Sequence, residues 1–269
     1  MSEPTAAAPS SSTAAAARPA QPHVGLFVTC LVDVYRPTVG FATLSLLEKA
    51  GCRVTVPDSQ TCCGQPAWNT GDREDAQRVA RPLIDAFLGF DYVVVPSGSC
   101  AGMIRYYPDV FQGDPVYGPK AEQLAAKTFE ITSFLTDVMG WDGIEATYSD
   151  TVTYHDSCSG LRQLGIKAQP RALLSKVAGL DLVEMQRPEE CCGFGGTFCV
   201  KYGEISDRMV TDKVTDIDTT GAGTLLAGEV GCLLNMAGKA KRLGQSVKCR
   251  HVTEVLAGMA DRPAIGDER

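Results

Sequence analysis

The chain has 269 residues, of which 44% are apolar, and its formal net charge is −7 at neutral pH. This composition is typical of a protein with one large or two small hydrophobic cores. The acidic balance and the lack of a basic cluster argue against nucleic acid as a partner. No apolar run approaches the roughly 18 residues that a membrane-spanning helix requires, so no transmembrane segment is predicted.

The first 22 residues are rich in Ala, Ser and Pro, with Arg18 as the one cation and no apolar stretch of the signal-peptide kind. We therefore predict a disordered tail over residues 1–22 and a cytoplasmic location. In a reducing compartment, recurring cysteines indicate metal or redox chemistry more than structural disulfides.

Strands and helices alternate along the first half of the chain. The predicted strands are residues 24–29, 53–56 and 91–95, and the predicted helices are residues 37–50, 71–88 and 121–139. Pro37 suits the first turn of its helix, and Gly51 suits the end of that helix. Residues 140–150 form the predicted link to the second half.

The second half repeats this scheme. Its predicted strands are residues 151–155, 181–185, 224–227 and 247–250, and its predicted helices are residues 170–177, 202–214 and one that starts at Thr253. Such alternation predicts an α/β fold of two pseudo-repeated lobes, each a small, mostly parallel sheet flanked by helices. The predicted first lobe spans residues 23–148 and the second spans residues 149–260, followed by a tail over residues 261–269.

Eight of the eleven cysteines form one pattern that is written twice. Each copy has a single cysteine, a Cys-Cys-Gly turn and a distal cysteine; the two sets are Cys30, Cys62, Cys63 and Cys100, and Cys158, Cys191, Cys192 and Cys232. Each single cysteine, pair or distal cysteine follows a predicted strand within about six residues. Because the carboxyl ends of parallel strands meet at one edge of a sheet, we expect these loops to converge into two sites of four thiols.

The thiols suit either zinc or an iron–sulfur cluster. Zinc binds four ligands around one ion, and its cysteine pairs are normally two to four residues apart. Adjacent cysteines point apart in an extended chain, so they chelate one ion poorly, whereas each can bind a different iron of a cluster. Glycine after the pair lets backbone N–H groups approach the sulfurs. The pattern therefore favours iron–sulfur, with zinc in one lobe as the alternative.

The doubled pattern resembles the cysteine-rich (CCG) domain proteins, which include the CCG-domain component of heterodisulfide reductase and the iron–sulfur component of glycolate oxidase. The segments FVTCLVD (27–33), PSGSC (96–100) and CCGFGGTF (191–198) are most similar to the lactate-utilization branch of this family. This resemblance implies an iron–sulfur electron-transfer subunit in a complex that oxidises L-lactate to pyruvate. It also implies two partners, a ferredoxin-like iron–sulfur subunit and a third subunit, with the small 2-hydroxy acid bound at the level of the complex.

One departure from the heterodisulfide reductase branch affects the cluster type. The distal motif of that branch is Cys-x-x-Cys, whereas this chain has Met103 and Asn235 at the second cysteine position. Four thiolates per lobe suit two ordinary [4Fe–4S] clusters, with a non-cubane cluster as the alternative. The alternative functions are one component of a thiol–disulfide reductase and electron transfer from glycolate or another 2-hydroxy acid.

The remaining candidates have less specific signals. Cys52 and Cys249 are predicted to be small buried hydrophobes, and Cys199 a residue outside the ligand sets. His155 and Asp156 either act on the second site, as a donor to a sulfur or a proton shuttle, or are hydrogen-bonded residues at a strand end. No flavin or nicotinamide fingerprint and no catalytic residue is identified. The chain alone is therefore not expected to oxidise lactate.

Overall fold

The computed structural model describes residues 19–267 and contains two parallel four-stranded sheets. The first sheet has the order β2-β1-β3-β4, with β1 His23–Leu26, β2 Arg53–Thr55, β3 Tyr92–Val95 and β4 Thr128–Glu130. The second has the corresponding order β6-β5-β7-β8, with β5 Thr147–His155, β6 Ala178–Leu182, β7 Thr224–Ala227 and β8 Lys248–His251. The prediction of two repeated α/β lobes is confirmed.

Helices connect the strands in both lobes. The first lobe contains α1 Cys30–Tyr35, α2 Pro37–Lys49, α3 Gln65–Asn69, α4 Arg73–Phe87, α5 Gly98–Arg105, α6 Tyr107–Val110, α7 Tyr117–Ala126 and α8 Ile131–Ser133, which continues as a π-helical turn, Phe134–Val138. The second contains α9 Cys158–Leu164, α10 Ala168–Leu174, α11 Phe198–Lys201, α12 Gly203–Thr219, α13 Val230–Arg242 and α14 Val252–Leu256. None of the helices within residues 19–267 is both long and apolar enough to cross a membrane.

The predicted continuous helix over residues 121–139 is wrong, because β4 interrupts it. Thr128 and Phe129 pair with β3, and Glu130 then begins α8 by accepting hydrogen bonds from the first backbone N–H groups of that helix. The predicted link is also shorter than expected, since β5 already begins at Thr147. The predicted strand over residues 181–185 lies three residues earlier, as β6.

One apolar cluster joins the two lobes. It contains buried side chains from both sheets and from the helices between them, among them Val24, Leu46, Phe134, Val152, Leu174 and Val255. Helix α2 packs against α14, and α8 with its π-helical turn packs against α10. These contacts pair the second helix of each lobe with the last helix of the other, and they fix the orientation of the two sheets.

The two tails predicted from the sequence, residues 1–22 and 261–269, have different outcomes. The predicted tail over residues 1–22 lies largely outside the described residues. At the other end, the segment predicted as a tail packs against the second sheet, because Ala264 and Ile265 are buried and the Ile265 N–H donates to the Cys249 carbonyl at 2.8 Å.

Candidate metal centres

All eight repeated cysteines lie beyond the carboxyl ends of strands, as predicted. Cys30 and Cys158 are the first residues of α1 and α9, and Cys100 and Cys232 are the third residues of α5 and α13. The first turn of a helix has backbone N–H groups without helical partners and a partial positive charge. Both features favour a thiolate, so the fold supplies positive potential where the four-cysteine sets converge.

The Cys-Cys-Gly turns need glycine for steric reasons. Gly64 and Gly193 have φ angles of 83° and 77°, in the left-handed region that side chains rarely adopt. A Cβ on Gly193 would lie 2.7 Å from the Ser206 carbonyl oxygen. The same turn directs the Gly193 N–H to the Cys191 sulfur at 3.4 Å. Glycine therefore allows both the turn and a backbone hydrogen bond to a ligand sulfur.

The first site brings Cys30, Cys62, Cys63 and Cys100 together. The Cys63 and Cys100 sulfurs are 3.5 Å apart, and Cys62 is hydrogen-bonded with both Cys30 and Cys63. Hydrogen bonds from these two thiols hold the pKa of Cys62 well below its usual range, whereas the pKa values of Cys30 and Cys63 are raised by their cysteine neighbours and by burial. The first cysteine of the pair therefore loses its proton more readily than Cys30 or Cys63 does.

The second site has the same arrangement. The Cys158 and Cys191 sulfurs are 3.7 Å apart, and Cys192 is hydrogen-bonded with Cys191 and Cys232. Hydrogen bonds from Cys158 and Cys192 lower the pKa of Cys191, in the same way as for its counterpart in the first site. Two sites with one readily formed thiolate each are suited to binding a cationic metal centre.

A histidine distinguishes the second site from the first. A ring nitrogen of His155 and the sulfurs of Cys192 and Cys232 all lie within 4.8 Å of one another. The ring is fully buried, and neither of its nitrogens has a partner at hydrogen-bond distance and angle within the described residues. Burial, reinforced by the Lys213 ammonium, lowers the pKa of His155 to about 3, so the imidazole is neutral. Of the two interpretations of this histidine, a place beside the sulfurs fits the structure better than a hydrogen-bonded strand end.

Two side chains that the sequence analysis did not identify as supports hold the paired cysteines. The buried Tyr107 hydroxyl donates to the Cys63 carbonyl oxygen at 2.8 Å. In the second site the Asn235 amide donates to the Cys192 carbonyl oxygen at 2.8 Å. Asn235 thus has a structural use at the position where a five-thiol pattern has a cysteine. Tyr107 had no sequence signal, because its contact depends on the fold.

The two sites open onto one cavity of about 310 Å³ between the lobes, which is lined by Cys30, Cys62, Cys100, Cys158 and Cys232, among other residues. The buried Glu229 carboxylate crosses from the second lobe and accepts hydrogen bonds from the Ser97 hydroxyl and the Ser99 N–H, both at 2.9 Å. The cavity leaves room beside the thiols for a centre of several atoms. The donor set and this space fit an iron–sulfur cluster better than a single ion.

The other candidates lie apart from this arrangement. Cys52 and Cys249 are buried in apolar clusters, as predicted. The half-buried Cys199 thiol donates to the Gly196 carbonyl oxygen at 3.2 Å. Asp156 forms a bidentate ion pair with Arg171, at 2.8 and 3.0 Å, so its carboxylate is engaged away from the sulfurs.

Comparisons with known proteins agree with this architecture. The cysteine-rich domain (CCG) family model matches residues 24–105 and again residues 152–237. A solved structure of a hypothetical protein from Helicobacter pylori has a TM-score of 0.59 at 10% identity, and the match covers 89% of this chain and 49% of that chain. At this identity the likeness concerns the fold alone.

Curated relatives match over nearly their whole length. Lactate utilization protein A from Geobacillus kaustophilus (strain HTA426) is 48% identical over 233 residues, which are 87% of this chain and 98% of the relative. The protein of the same name from Bacillus subtilis (strain 168) is 47% identical over 233 residues, with the same coverage. The chain therefore belongs to the lactate utilization protein A family, built from two cysteine-rich (CCG) domains.

Proposed function

We propose that the chain is an iron–sulfur electron-transfer subunit of a complex that oxidises L-lactate to pyruvate. The observation that carries this proposal is the convergence of eight thiols into two equivalent sites on one cavity. The names of the relatives support lactate as the substrate of the complex. The same proposal includes a cytoplasmic location, which the family resemblance implies.

Each lobe would hold one [4Fe–4S] cluster through its four repeated cysteines, namely Cys30, Cys62, Cys63 and Cys100, and Cys158, Cys191, Cys192 and Cys232. Such a cluster supplies reversible one-electron transfer. The chain's own contribution is to supply thiolates at helix starts, to fix the Cys-Cys-Gly turns and to bury the inner sulfurs. Two one-electron centres match the two electrons that leave lactate.

Partners complete the reaction in this proposal. Oxidation of an alcohol carbon requires an acceptor for a hydride or its equivalent, which thiolate-bound iron does not provide. A third subunit would bind the 2-hydroxy acid, and a ferredoxin-like iron–sulfur subunit would exchange electrons with these sites. The test is lactate-dependent dye reduction with the isolated iron-loaded chain and then with the three subunits together. Turnover by the isolated chain would contradict this division of roles.

Metal analysis tests the cofactor separately from the reaction. Anaerobically purified chain is expected to contain about eight irons and eight acid-labile sulfides. Replacing Cys63 by Ser should lose or convert one cluster and leave the other, whereas replacing the buried Cys52 by Ser is the matched control and should leave the iron content unchanged. Stoichiometric zinc without sulfide would overturn the iron–sulfur assignment.

A second candidate function is reduction of a disulfide at the shared cavity. The cavity favours it, because thiols of both sites line one space that a small molecule can enter. Met103 and Asn235 oppose it, because they replace the fifth thiols of the branch that performs this chemistry. Assays with small disulfides, glycolate and lactate in the reconstituted complex separate the three substrate classes.

A further inference from the structure

The second site contains a buried polar group for which the described residues provide no hydrogen-bond partner. The His155 imidazole has no solvent exposure, and neither ring nitrogen has a hydrogen bond of standard distance and angle within residues 19–267. Burying such a group without a partner costs free energy. The Pro188 carbonyl oxygen is the backbone acceptor near the ring, and it also accepts from the Lys213 ammonium at 3.1 Å, but it forms no hydrogen bond of standard distance and angle with a ring nitrogen. The ring therefore has unused hydrogen-bonding capacity directed at its surroundings.

The first lobe shows what the fold requires at this position. Phe27 lies 128 residues before His155, the same interval that separates Cys30 from Cys158. The Phe27 ring is fully buried and contacts Phe87 edge-on, with 5.7 Å between ring centroids. An apolar ring thus satisfies the fold beside the first site. Packing at this position therefore does not require a polar ring. The neighbouring sulfurs are the groups with which the polar imidazole of His155 can interact.

We propose that an N–H of His155 donates a hydrogen bond to the cluster-bound sulfur of Cys192 or Cys232. This inference rests on the proposed iron–sulfur function. The geometry behind it is the placement of one ring nitrogen and both sulfurs within 4.8 Å of one another. A hydrogen bond to a ligand sulfur stabilises the more negative, reduced state of a cluster, so it raises the reduction potential. His155 is thus a tuning residue that raises the reduction potential of the second centre.

The test compares three variants as iron-loaded protein, with iron and sulfide counted first and both potentials then measured by EPR-monitored redox titration. H155F gives the second site the phenyl ring that Phe27 provides beside the first site. It should lower the reduction potential of the second cluster and leave that of the first cluster unchanged. H155Q retains an N–H donor and should recover part of the difference. F27L changes the packing at the equivalent position and is the matched control, with no shift expected in either potential.

A second readout identifies the hydrogen bond directly. The sequence has three histidines, so ¹⁵N-histidine labelling introduces few probes. In wild-type protein, ENDOR spectra should show one weak ¹⁵N coupling to a reduced cluster, and H155F should lack it. If H155F fails to load its second cluster, the strength of the ¹⁵N coupling in the wild-type spectrum tests the proposal by itself. A weak coupling supports the proposal, and a strong coupling typical of a direct ligand, or none, overturns it.

The outcomes separate this inference from the function on which it depends. Wild-type protein without iron and sulfide would refute the proposed function. Wild-type protein with two clusters, combined with H155F potentials equal to those of the wild type, would refute the role of His155 alone. Equal shifts of both potentials would also refute it, because the contact exists in one site.

Discussion

The buried carboxyl group of Glu130 predicts both the sign and the size of a pH effect on the stability of the fold. The carboxyl group is buried between the lobes, and one of its oxygens accepts hydrogen bonds from the Thr132 N–H at 2.8 Å, the Thr132 hydroxyl at 2.6 Å and the Ser133 N–H at 3.2 Å. Burial outweighs these bonds and raises the pKa of Glu130 from its ordinary 4.5 to about 7. The folded chain therefore keeps a proton that the unfolded chain releases.

The direction of the pH effect follows from this difference. Between pH 4.5 and 7 the folded state binds more protons than the unfolded state, so stability falls as the pH rises. At about 1.4 kcal/mol for each pKa unit, the full loss is about 3 kcal/mol, of which about 2 kcal/mol falls between about pH 5.5 and 8. Glu130→Gln does not titrate. Its stability relative to the wild type should therefore rise by about 2 kcal/mol across this range.

Native-state hydrogen exchange measures this effect without requiring reversible loss of the metal centres. Peptides that cover β4 and α8 are followed in iron-loaded protein at several pH values, with correction for intrinsic exchange rates. The ratio of variant to wild-type protection should increase about 30-fold from about pH 5.5 to 8. Glu122→Gln, on the exposed face of α7, is the control for the substitution itself. If the ratio of Glu130→Gln to wild-type protection stays constant with pH, the reasoning is refuted.

Three further substitutions test the supports of the sites and of the lobe interface. Tyr107→Phe leaves the Cys63 carbonyl oxygen without its donor and should cost about 1–3 kcal/mol in hydrogen-exchange stability. Arg36→Met removes the cation 2.8 Å from the fully buried Glu254 carboxylate and should cost about 3–5 kcal/mol, so a loss below about 1 kcal/mol would contradict the burial argument. Gly193→Ala cannot adopt the left-handed turn without strain, and iron analysis should show about half the wild-type content.

The sequence predicted where the repeated cysteines gather better than it predicted the elements around them. Adjacent cysteines followed by glycine, each set placed just after an apolar strand, are local signals, and parallel strands bring such loops together. The fourth strand of the first lobe was missed, because Thr128, Phe129 and Glu130 lie within a helical pattern of apolar residues. Its counterpart in the second lobe was predicted, so the repeat itself contained the missing information.

Contacts that depend on the tertiary structure were beyond the reach of sequence patterns. Tyr107 contacts the backbone of Cys63 across 44 positions, and Glu229 contacts Ser97 across 132 positions. Neither residue type nor spacing predicts such a pair. The sequence did single out His155, but whether its ring was hydrogen-bonded or unpartnered was decided by the residues that surround it in the fold.

The repeat and its exceptions separate what the two sites need in common from what makes them different. At the start of α5, the Ser97 hydroxyl accepts from the Cys100 N–H at 3.3 Å and so supports its own helix. The corresponding residue before α13 is Glu229, whose longer side chain reaches Ser97 and Ser99 in the other lobe. Likewise, the position of Phe27 in the first lobe is occupied by His155 in the second. Both differences lie at inward-facing positions beside the cysteines, while the thiols and the glycine turns are unchanged. Two identical centres would have no preferred order for electrons. Under the proposed function, these two differences beside the sulfurs and the cavity would give the second centre its own potential, while the cysteines and glycine turns that both centres require stay the same.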